Sequence, residues 1–381
     1  MANDLSQLLP VTLAQALQVL RGETILPRLV NRDFDNVPAA SGDTVNVWIG
    51  SDLAATDVTP GPGPVTPPDS TPTKVPITLN KHKKSGFHIT DKERGAIAGG
   101  FIPQQVQQAV KALARQVNAD LLGEYVGIFG FVGTPGTTPF ASSLAGFKEA
   151  RTLLNVQLAP KEDRVVILDP DAEGNAVVLP LFVQADQRGD QGGVLAGQIG
   201  TKMGASWWMD QQVPTHTAGT ITTGLVAKAS TAQAVGLKAV VATTAVTTGA
   251  ANLKIGDIIT FAGQTQTYTL TAAAVQAAAS SDVTLNIEPG LKIALVGGEA
   301  VSVKGTHVVN IVMQRGAMAF ASRPLQSEAA NSANILSIAD PQTGLALRIE
   351  QVRQNKQDYF ELDLLYGVKL VRPELAVRLA G

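Results

Sequence analysis

PQQVQQAVKALARQVNADLLGEYV, from Pro103 to Val126, decides the fold, because its pattern predicts one long amphipathic helix. Apolar residues recur in steps of three and four, which places them in a stripe along one side of a helix. About two dozen residues at ~1.5 Å each make a rod of roughly 36 Å, long for a helix of a globular enzyme. The stripe consists of Val106, Val110, Leu113, Val117, Leu121, Tyr125 and Ile128, and the polar side, predicted to face outward, of Gln104, Gln107, Lys111, Arg115 and Asn118.

Two segments precede this helix: an N-terminal arm, residues 1–42, and an extended hairpin, residues 43–92. Residues 43–50 alternate apolar and polar side chains as a strand does, and residues 74–90 are predicted to be a single returning strand. Seven prolines between Val58 and Pro76 cannot donate to a strand ladder, so the tip is predicted to be a stiff loop. A lone two-stranded hairpin is marginally stable in water, so we expect this one to lie along another chain. The alternative is a hairpin folded back on its own domain.

Basic and aromatic side chains are the candidates for contacts between subunits. A small basic cluster on the hairpin is predicted to meet acidic groups of a neighbouring subunit, or else to keep an edge strand soluble. The three tryptophans are expected to anchor a core or an interface rather than to form a ligand cage. The candidate interface residues are Trp48, Lys81, Lys83, Lys84, Trp207 and Trp208, with His82 beside the lysines.

An α/β pattern follows the long helix. Ser142 or Ser143 can cap a helix that runs to about Leu154, and RVVIL at residues 164–168 is typical of a buried strand. DPDAEGN at residues 169–175 has the outward form of a calcium loop, but its twelfth position is Pro180 rather than glutamate. We therefore predict a turn that caps the next helix.

The composition changes between Thr217 and Lys304. This segment holds fifteen threonines and neither arginine nor tryptophan. Short alternating runs separated by turn residues predict several short strands in a compact β-barrel or sandwich, of which we favour the barrel. Its flanks, Thr215-His216 and Gly305-Thr306-His307, are expected to lie close together if the segment is inserted into a parent domain.

Composition and motifs argue against several classes of function. A net charge of −2 lacks the basic surplus of most nucleic-acid-binding proteins. The absence of cysteine excludes disulfides and thiolate metal sites and fits assembly in a reducing compartment. No run approaches the ~20 apolar residues of a membrane span, and no signal-peptide pattern is present. The four histidines have no metal-site spacing, and nucleophile elbows and dinucleotide fingerprints are missing. We therefore predict no catalytic, cofactor-binding or metal-binding residue and no enzyme activity.

The order of the parts resembles the major capsid proteins of tailed phages, which have the Hong Kong phage type of fold. That order is arm, Pro-tipped hairpin, long helix, α/β domain, inserted β domain and terminal strands. The insertion, with GDIITFAG and LNIEPG, looks like the inserted domain of podophage-type coat proteins. Three stretches are similar to motifs of the family: Gly197–Gly204 followed by Gln212-Val213-Pro214, Arg315–Ala321, and Leu365–Glu374.

The resemblance implies an α+β fold and a role for each part. Residues 43–92 become the extended loop, 103–126 the spine helix, 93–129 with 331–381 the peripheral domain, 130–216 with 305–330 the axial domain, and 217–304 the inserted domain. It also implies a structural protein whose hexamers and pentamers form an icosahedral virion capsid around double-stranded DNA, without sequence-specific binding. Assembly in the host cytoplasm is implied, with further copies of the chain, a scaffolding protein, a portal and a decoration protein as partners and no membrane.

Two other functions stay open at this point. The shell protein of a bacterial nanocompartment shares this fold and would enclose enzyme cargo instead of DNA. A soluble hydrolase or a β-rich binding module would be a monomer of 39.7 kDa rather than a megadalton particle.

Overall fold

The computed structural model describes residues 8–32, 44–51, 53, 55, 57, 61, 69–94, 101–183, 199–221, 224–228, 233–244, 252–276, 281–324 and 335–381. Residues 8–12, 94, 101–103, 183 and 244 are described by their backbone alone. Most of the predicted proline-rich tip lies outside these ranges, as do Gly197 and Gln198 of the predicted glycine motif.

The helices are α1 (Leu8–Glu23), α2 (Asp91–Arg94), α3 (Phe101–Leu122), α4 (Ala145–Val156), α5 (Pro170–Val177) and α6 (Pro180–Val183), with 3₁₀ turns at Leu26–Arg28, Gly123–Gly127, Arg315–Ala317 and Pro373–Leu375. The strands are β1 (Thr44–Ile49), β2 (Thr73–Thr78), β3 (Lys81–Thr90), β4 (Gly130–Gly133), β5 (Arg164–Leu168), β6 (Thr201–Lys202), β7 (Ala205–Met209), β8 (Thr215–His216), β9 (Leu225–Ala227), β10 (Ala239–Thr244), β11 (Asn252–Leu253), β12 (Ile258–Phe261), β13 (Tyr268–Leu270), β14 (Ala274–Val275), β15 (Asp282–Glu288), β16 (Ala300–Val303), β17 (His307–Gln314), β18 (Met318–Ser322), β19 (Ile335–Ala339), β20 (Ala346–Gln354), β21 (Gln357–Leu370) and β22 (Ala376–Ala380).

The chain divides into two compact units. The first consists of Met1–Gly22, Asn31–Leu113 and Ala319–Val371, and the second of Glu23–Val30, Ala114–Met318 and Arg372–Gly381. Helix α3 therefore contributes its first part to one unit and its last part to the other.

A sheet around β21 organises the first unit. β21 pairs antiparallel with β20 on one edge and with β3 on the other, β19 extends the sheet beyond β20, and β18 also pairs with β21. Side chains alternate between the two faces of a strand, and on one face of this sheet β20 and β21 carry a set of buried apolar residues. The buried members of that face are Leu347, Ile349, Phe360, Leu362 and Leu364.

The hairpin differs from its prediction in two ways. The returning segment is two strands: β2 pairs with β1, whereas β3, after Leu79-Asn80, pairs with β21. In addition, the inner face of β1 and β2 packs on the chain itself, so at its base the hairpin is folded on its own unit, which was the alternative interpretation. The apolar positions that alternate along both strands form a cluster of Val45, Val47, Ile77, Leu79, Ala319, Ala321 and Val371.

A seven-stranded sheet organises the second unit, with β17 near its centre. β17 is antiparallel to β22 and β5, while β4 lies parallel to β22 and β7 parallel to β5. All five residues of β5 are buried, as predicted. The sequence assigned the last strand to the peripheral domain. The structure instead places β22 between β4 and β17, where both of its edges are paired and all five residues are buried.

Two short helices beside this sheet have caps close to those predicted. Asp169 caps α5 by accepting hydrogen bonds from the backbone N–H groups of Asp171 and Ala172, so the predicted capping turn is confirmed. Helix α4 has Leu144 as its N-cap, and the Ser143 hydroxyl accepts a longer hydrogen bond from the N–H of Ala145 at 3.4 Å.

Six strands of the same unit close into a barrel in the order β10-β15-β13-β12-β16-β9. Strand β9 was not predicted, because three residues are too few for alternation to be visible. The seventeen buried residues of the barrel core all lie between Ile221 and Val301. Next to the barrel, β8 pairs with β17 so that His216 stands opposite His307, and the two flanks are adjacent as expected.

Helix α3 ends at Leu122, four residues before the predicted end, and a 3₁₀ turn follows it. Asn118 corrects the predicted polar side: it is 3% exposed, because its amide donates to the backbone oxygen of Glu23 (3.3 Å) and to the carboxylate of Asp210 (2.9 Å). The predicted stripe is buried at Val106, Val110, Leu113, Val117, Leu121 and Ile128, and Tyr125 is half-buried. Among the described residues, no helix is long and apolar enough to cross a membrane.

Candidate assembly surfaces and the barrel joint

Trp48 is the most prominent aromatic side chain on the surface of the first unit. It lies on β1 opposite Lys74 of β2, on the face turned away from the core cluster, and is 58% exposed. The Lys74 ammonium lies 4.1 Å from the centroid of the Trp48 ring, an arrangement that favours a cation–π interaction. The pair orients a large aromatic surface toward the outside without burying it.

The predicted basic cluster is divided between the two faces of β3. Lys84 and His82 lie on the polar face, where the Lys84 ammonium donates to Glu361 at 3.2 Å and His82 Nε2 lies 3.1 Å from Asp363. Lys81 and Lys83 alternate onto the other face and are half-buried. An acidic partner of Lys84 is thus supplied by β21 of the same chain.

Asp363 joins this polar face to β20. Arg348 binds Asp363 with two nitrogens of its guanidinium, and these hydrogen bonds raise the pKa of Arg348 above its ordinary value. In the described part of the chain β3 is paired along one edge only, by β21. An edge strand protected by lysines therefore describes this region better than a free basic patch.

Trp207 is a core residue of the subunit, which is one of the two roles predicted for the tryptophans. It is 5% exposed, and its ring packs against the rings of Phe140, Phe147 and Phe182 at centroid distances of 5.6, 4.8 and 5.2 Å. Its indole N–H donates to the backbone oxygen of Lys202 at 3.2 Å. Three aromatic neighbours and a satisfied donor leave the ring little surface for another chain.

Trp208 points to the opposite side of β7 and is 41% exposed. It borders a surface cavity of about 360 Å³. Tryptophan and methionine are enriched in protein interfaces, so this cavity has the character of a contact surface rather than of a catalytic cleft. Its lining residues are Glu173, Ile199, Gly200, Thr201, Ser206, Trp207, Trp208 and Met209.

A buried polar cluster connects the barrel to the seven-stranded sheet within the second unit; we call it the barrel joint. It consists of Tyr125, His216, Asp257, His307 and Arg378, of which Asp257 comes from the barrel. These residues are spread over the sequence, and no spacing motif announces them. A single buried arginine in the strand AVRLA was the one available signal.

Arg378 has no exposed surface and holds two parts of the unit together. Its guanidinium donates to the backbone oxygen of Gly256 (2.8 Å), to that of Val126 (3.1 Å) and to the Thr269 hydroxyl (3.1 Å), and it lies 5.1 Å from the centroid of the Tyr125 ring. Burial lowers the pKa of Arg378 to about 9. The side chain stays charged at neutral pH, and several oxygens compensate its lost hydration.

His216 and Asp257 continue the joint. His216 Nε2 lies 2.8 Å from a carboxylate oxygen of Asp257, and the Tyr125 hydroxyl lies 3.0 Å from His216 Nδ1. Asp257 also accepts from the backbone N–H groups of Gly219 and Lys254. An ionised carboxylate can only accept hydrogen bonds, so Nε2 donates to Asp257; in the neutral imidazole Nδ1 then accepts from the Tyr125 hydroxyl.

His307 lies beside His216, with 5.3 Å between the ring centroids, and is 2% exposed. Its Nδ1 bonds the backbone oxygen of Gly305 at 2.8 Å, and its ring meets Phe131 edge to face. Nε2 has no hydrogen-bond partner among the described residues. Burial lowers the pKa of His307 to about 4, and the positive charge of Arg378 acts in the same direction.

In the part of the chain that the structure describes, no group of three or more His, Cys, Asp or Glu residues could hold a metal ion. The joint contains acids and bases, but its histidines and Asp257 are buried and lie outside the cavity lining. Its geometry suits a structural connection between two parts of the unit.

Comparison with known proteins gives a result at the level of the fold. No family model matches the sequence, and no curated protein matches it. Among solved structures, a chain of Mycobacterium phage Che8 is similar over 93% of this chain and 90% of its own, with a TM-score of 0.53 and 14% identity. A chain of the capsid of cyanophage P-SCSP1u is similar over 94% and 88%, with a TM-score of 0.50 and 14% identity.

The chain therefore has the fold of a phage capsid subunit. Two parts of the predicted fold class are confirmed: the mixed α+β architecture and a small closed β-barrel, which has six strands. A virus-like particle from Pyrococcus furiosus is similar over 96% of each chain, but with a TM-score of 0.42 and 9% identity. That likeness is too small to support the nanocompartment alternative.

Proposed function

We propose that this chain is the major capsid protein of a tailed phage and that many copies form a closed icosahedral shell around double-stranded DNA. The observation that carries the proposal is the likeness over 94% of the chain to a subunit of a phage capsid. The shell would be built of hexamers and pentamers and would form the virion capsid after assembly in the host cytoplasm. The chain then acts as a structural protein and not as an enzyme.

The parts of the chain take roles in this proposal. Helix α3 would be the spine helix, the hairpin of residues 43–92 the extended loop, and residues 217–304 an inserted domain. The peripheral domain (93–129 with 331–381) and the axial domain (130–216 with 305–330) would be the two bodies that neighbouring subunits contact. Burial of β22 in the seven-stranded sheet supports moving residues 376–380 to the axial side.

Exposed aromatic surface supports two contact regions between copies. Trp48 on the hairpin and Trp208 beside the cavity are both more than one-third exposed, and permanent interfaces often exceed about 2,000 Å² and are rich in such residues. Among the lysines of β3, Lys84 is the one that would take part in such a contact. It would do so together with Glu361 of the same chain, to which its ammonium is already bound. Lys81 and Lys83, half-buried on the other face, would have a smaller part.

The charge of the chain supports passive enclosure of DNA rather than condensation by the subunit. A net charge of −2 offers no surplus of lysine and arginine to neutralise phosphates. DNA would then enter through a portal, and a scaffolding protein would guide assembly.

Electron microscopy of the purified protein tests the proposal. Closed shells with five-fold vertices are expected, and their diameter gives the number of subunits. A species of 39.7 kDa on gel filtration under all conditions, without larger particles, would refute it in favour of a soluble module. Particles purified from their natural source that contain an enzyme and no DNA would instead establish the nanocompartment shell.

A further inference from the structure

The connection between the barrel and its parent sheet is made mostly of polar groups. Among the described residues, the apolar cluster that bridges them has three members, Phe131, Ile258 and Ala380. The barrel itself has a core of seventeen buried residues. Buried apolar surface contributes to stability roughly in proportion to its area. The joint is therefore less stable than the barrel core, and it depends on its hydrogen bonds and charges.

The charges within the joint are balanced for one protonation state. Arg378 supplies one positive charge and Asp257 one negative charge, and both are buried. The groups that face His307 are the rings of His216 and Phe131, the guanidinium of Arg378 and, through electrostatic interaction, Asp257. Among the described residues no carboxylate bonds His307, whose Nε2 has no acceptor. A proton on Nε2 would place a second, unpaired cation next to Arg378, which is costly at a buried site.

We propose that the barrel joint is acid-sensitive: protonation of His307 separates the barrel from the seven-stranded sheet, while the barrel itself stays folded. His307 is the first residue of β17, beside the barrel, whereas Ile311 and Met313 further along β17 are buried between β22 and β5. The sheet therefore keeps its centre when the strand end opens. The inference concerns one chain and goes beyond the shell function, since it would hold for an unassembled subunit.

The direction of the pH effect follows from linkage. The pKa of His307 is about 4 in the closed joint, and that of an exposed imidazole is about 6.5. The closed joint thus binds fewer protons than the open one. Closure is fully favoured above about pH 6.5 and is lost progressively as the pH falls toward 4. The equilibrium constant between the closed and the open joint should therefore shift about twentyfold toward the open form when the pH falls from 7 to 5.

Amide hydrogen exchange of the full-length chain at pH 7 and pH 5, corrected for intrinsic rates, measures this opening. Peptides that cover residues 126–131, 215–219 and 254–258 should lose protection by about twentyfold at pH 5. Peptides from the barrel core, such as those containing Leu285, should keep theirs. Equal protection of the joint at both pH values, or loss of the barrel core together with the joint, overturns the proposal.

Two variants separate His307 from the other titrating groups. His307→Phe keeps an aromatic ring but cannot take a proton, so its joint should open less than about twofold more at pH 5 than at pH 7. His88→Gln changes an exposed histidine in the first unit and should retain the full effect. A His307→Phe joint that still opens about twentyfold would show that another group is responsible.

Hydrogen exchange at the imidazole C2 position of the unmodified protein gives an independent answer if His307→Phe does not fold. It reports the pKa of each of the four histidines separately. His307 is expected to titrate near pH 4, well below the ordinary value of about 6.5 for an exposed imidazole. An apparent pKa of His307 at or above about 6.5 overturns the proposal without any variant.

Discussion

Neighbouring tryptophans in one strand have opposite environments, and a third stands alone on the hairpin. Trp207 is enclosed by three phenylalanine rings, whereas Trp208 and Trp48 keep large exposed surfaces. Strand alternation explains the difference within β7, since successive side chains point to opposite faces of a sheet. The Lys74 ammonium orients the Trp48 ring, but it does not bury it. The same residue type therefore serves stability at one position and is available for assembly at another.

Substitution of these tryptophans should separate stability from assembly. Trp207→Ala removes a core ring and should lower the free energy of unfolding by about 3–5 kcal/mol. Trp48→Ala removes only an exposed side chain and should change it by less than about 1 kcal/mol. Urea denaturation of unassembled subunits measures both values, and sedimentation measures the yield of shells.

Trp48→Ala is expected to reduce the shell yield while the subunit stays folded. Trp208→Ala is the matched variant in the second unit and should behave in the same way. Normal shell yield from both variants would mean that neither exposed ring lies at an interface. A loss of stability in Trp48→Ala as large as that in Trp207→Ala would contradict the exposure of its ring.

The joint residues mark the limit of what single positions in the sequence disclose. The alternation in AVRLA places Arg378 in a strand, but its partners Tyr125 and Asp257 are more than one hundred residues away. No local pattern can identify such a set, because its members meet only after the barrel has been placed on the sheet. Asn118 was misplaced for a related reason: its acceptors, Glu23 and Asp210, are also distant in sequence.

Periodic elements were predicted much better than pairing partners. The stripe of α3 and the alternating runs of the barrel follow directly from side-chain period, which is a local property. The single returning strand was wrong, because no glycine or proline marks the break at Leu79-Asn80, after which β3 joins β21. Pairing of residues almost 280 positions apart, such as Lys84 with Asp363, cannot be read from a local window.

The barrel has a hydrophobic core of its own. Seventeen buried residues form this core, and closure leaves the barrel's sheet without a free edge. Its contacts with the parent are concentrated in the joint. A segment of this size can bury roughly 60% of its unfolded surface, which suffices for many small domains to fold alone.

Residues 217–305, expressed alone, should therefore fold and unfold cooperatively on heating. Because the segment lacks tryptophan, circular dichroism and the fluorescence of Tyr268 are suitable probes. Leu285→Asp places an unpaired charge in the core and is the control that should not fold. A disordered spectrum from the unmodified segment would mean that the barrel needs the joint for its stability.

At the scale of the whole molecule, the two units differ in what they contain. The first unit carries the hairpin, and the second unit contains the seven-stranded sheet and the barrel that the joint connects to it. A chain that closes into shells needs large interfaces between identical copies, and extended segments supply area without enlarging a core. The core cluster fixes the base of the hairpin. Strands β1 and β2 can therefore set the direction in which the chain leaves the base toward the proline-rich tip. Stability and assembly can then be changed independently by altering the base or the tip.

Replacement of residues 58–70 by a four-residue Gly-Ser linker tests this separation. The change keeps the closing pair of the hairpin, Ile49 with Thr73, and the whole core cluster. A deletion that continued to Pro76 would instead remove most of β2. The shortened subunit should keep its melting temperature, because it loses no buried contact of the base, but it should form few or no closed shells in electron micrographs.

A Gly-Ser replacement of residues 58–70 at full length distinguishes reach from rigidity. Proline-rich segments are semi-rigid spacers, whereas Gly-Ser segments of equal length are flexible coils. Shells from the full-length replacement but not from the short linker would assign assembly to the length of the tip. Absence of shells from both would assign it to the stiffness or side chains of residues 58–70, which hold five of the seven prolines. Closed shells of normal diameter from both would mean that subunits join through surfaces outside the tip, with Trp48 and Trp208 the first to be tested.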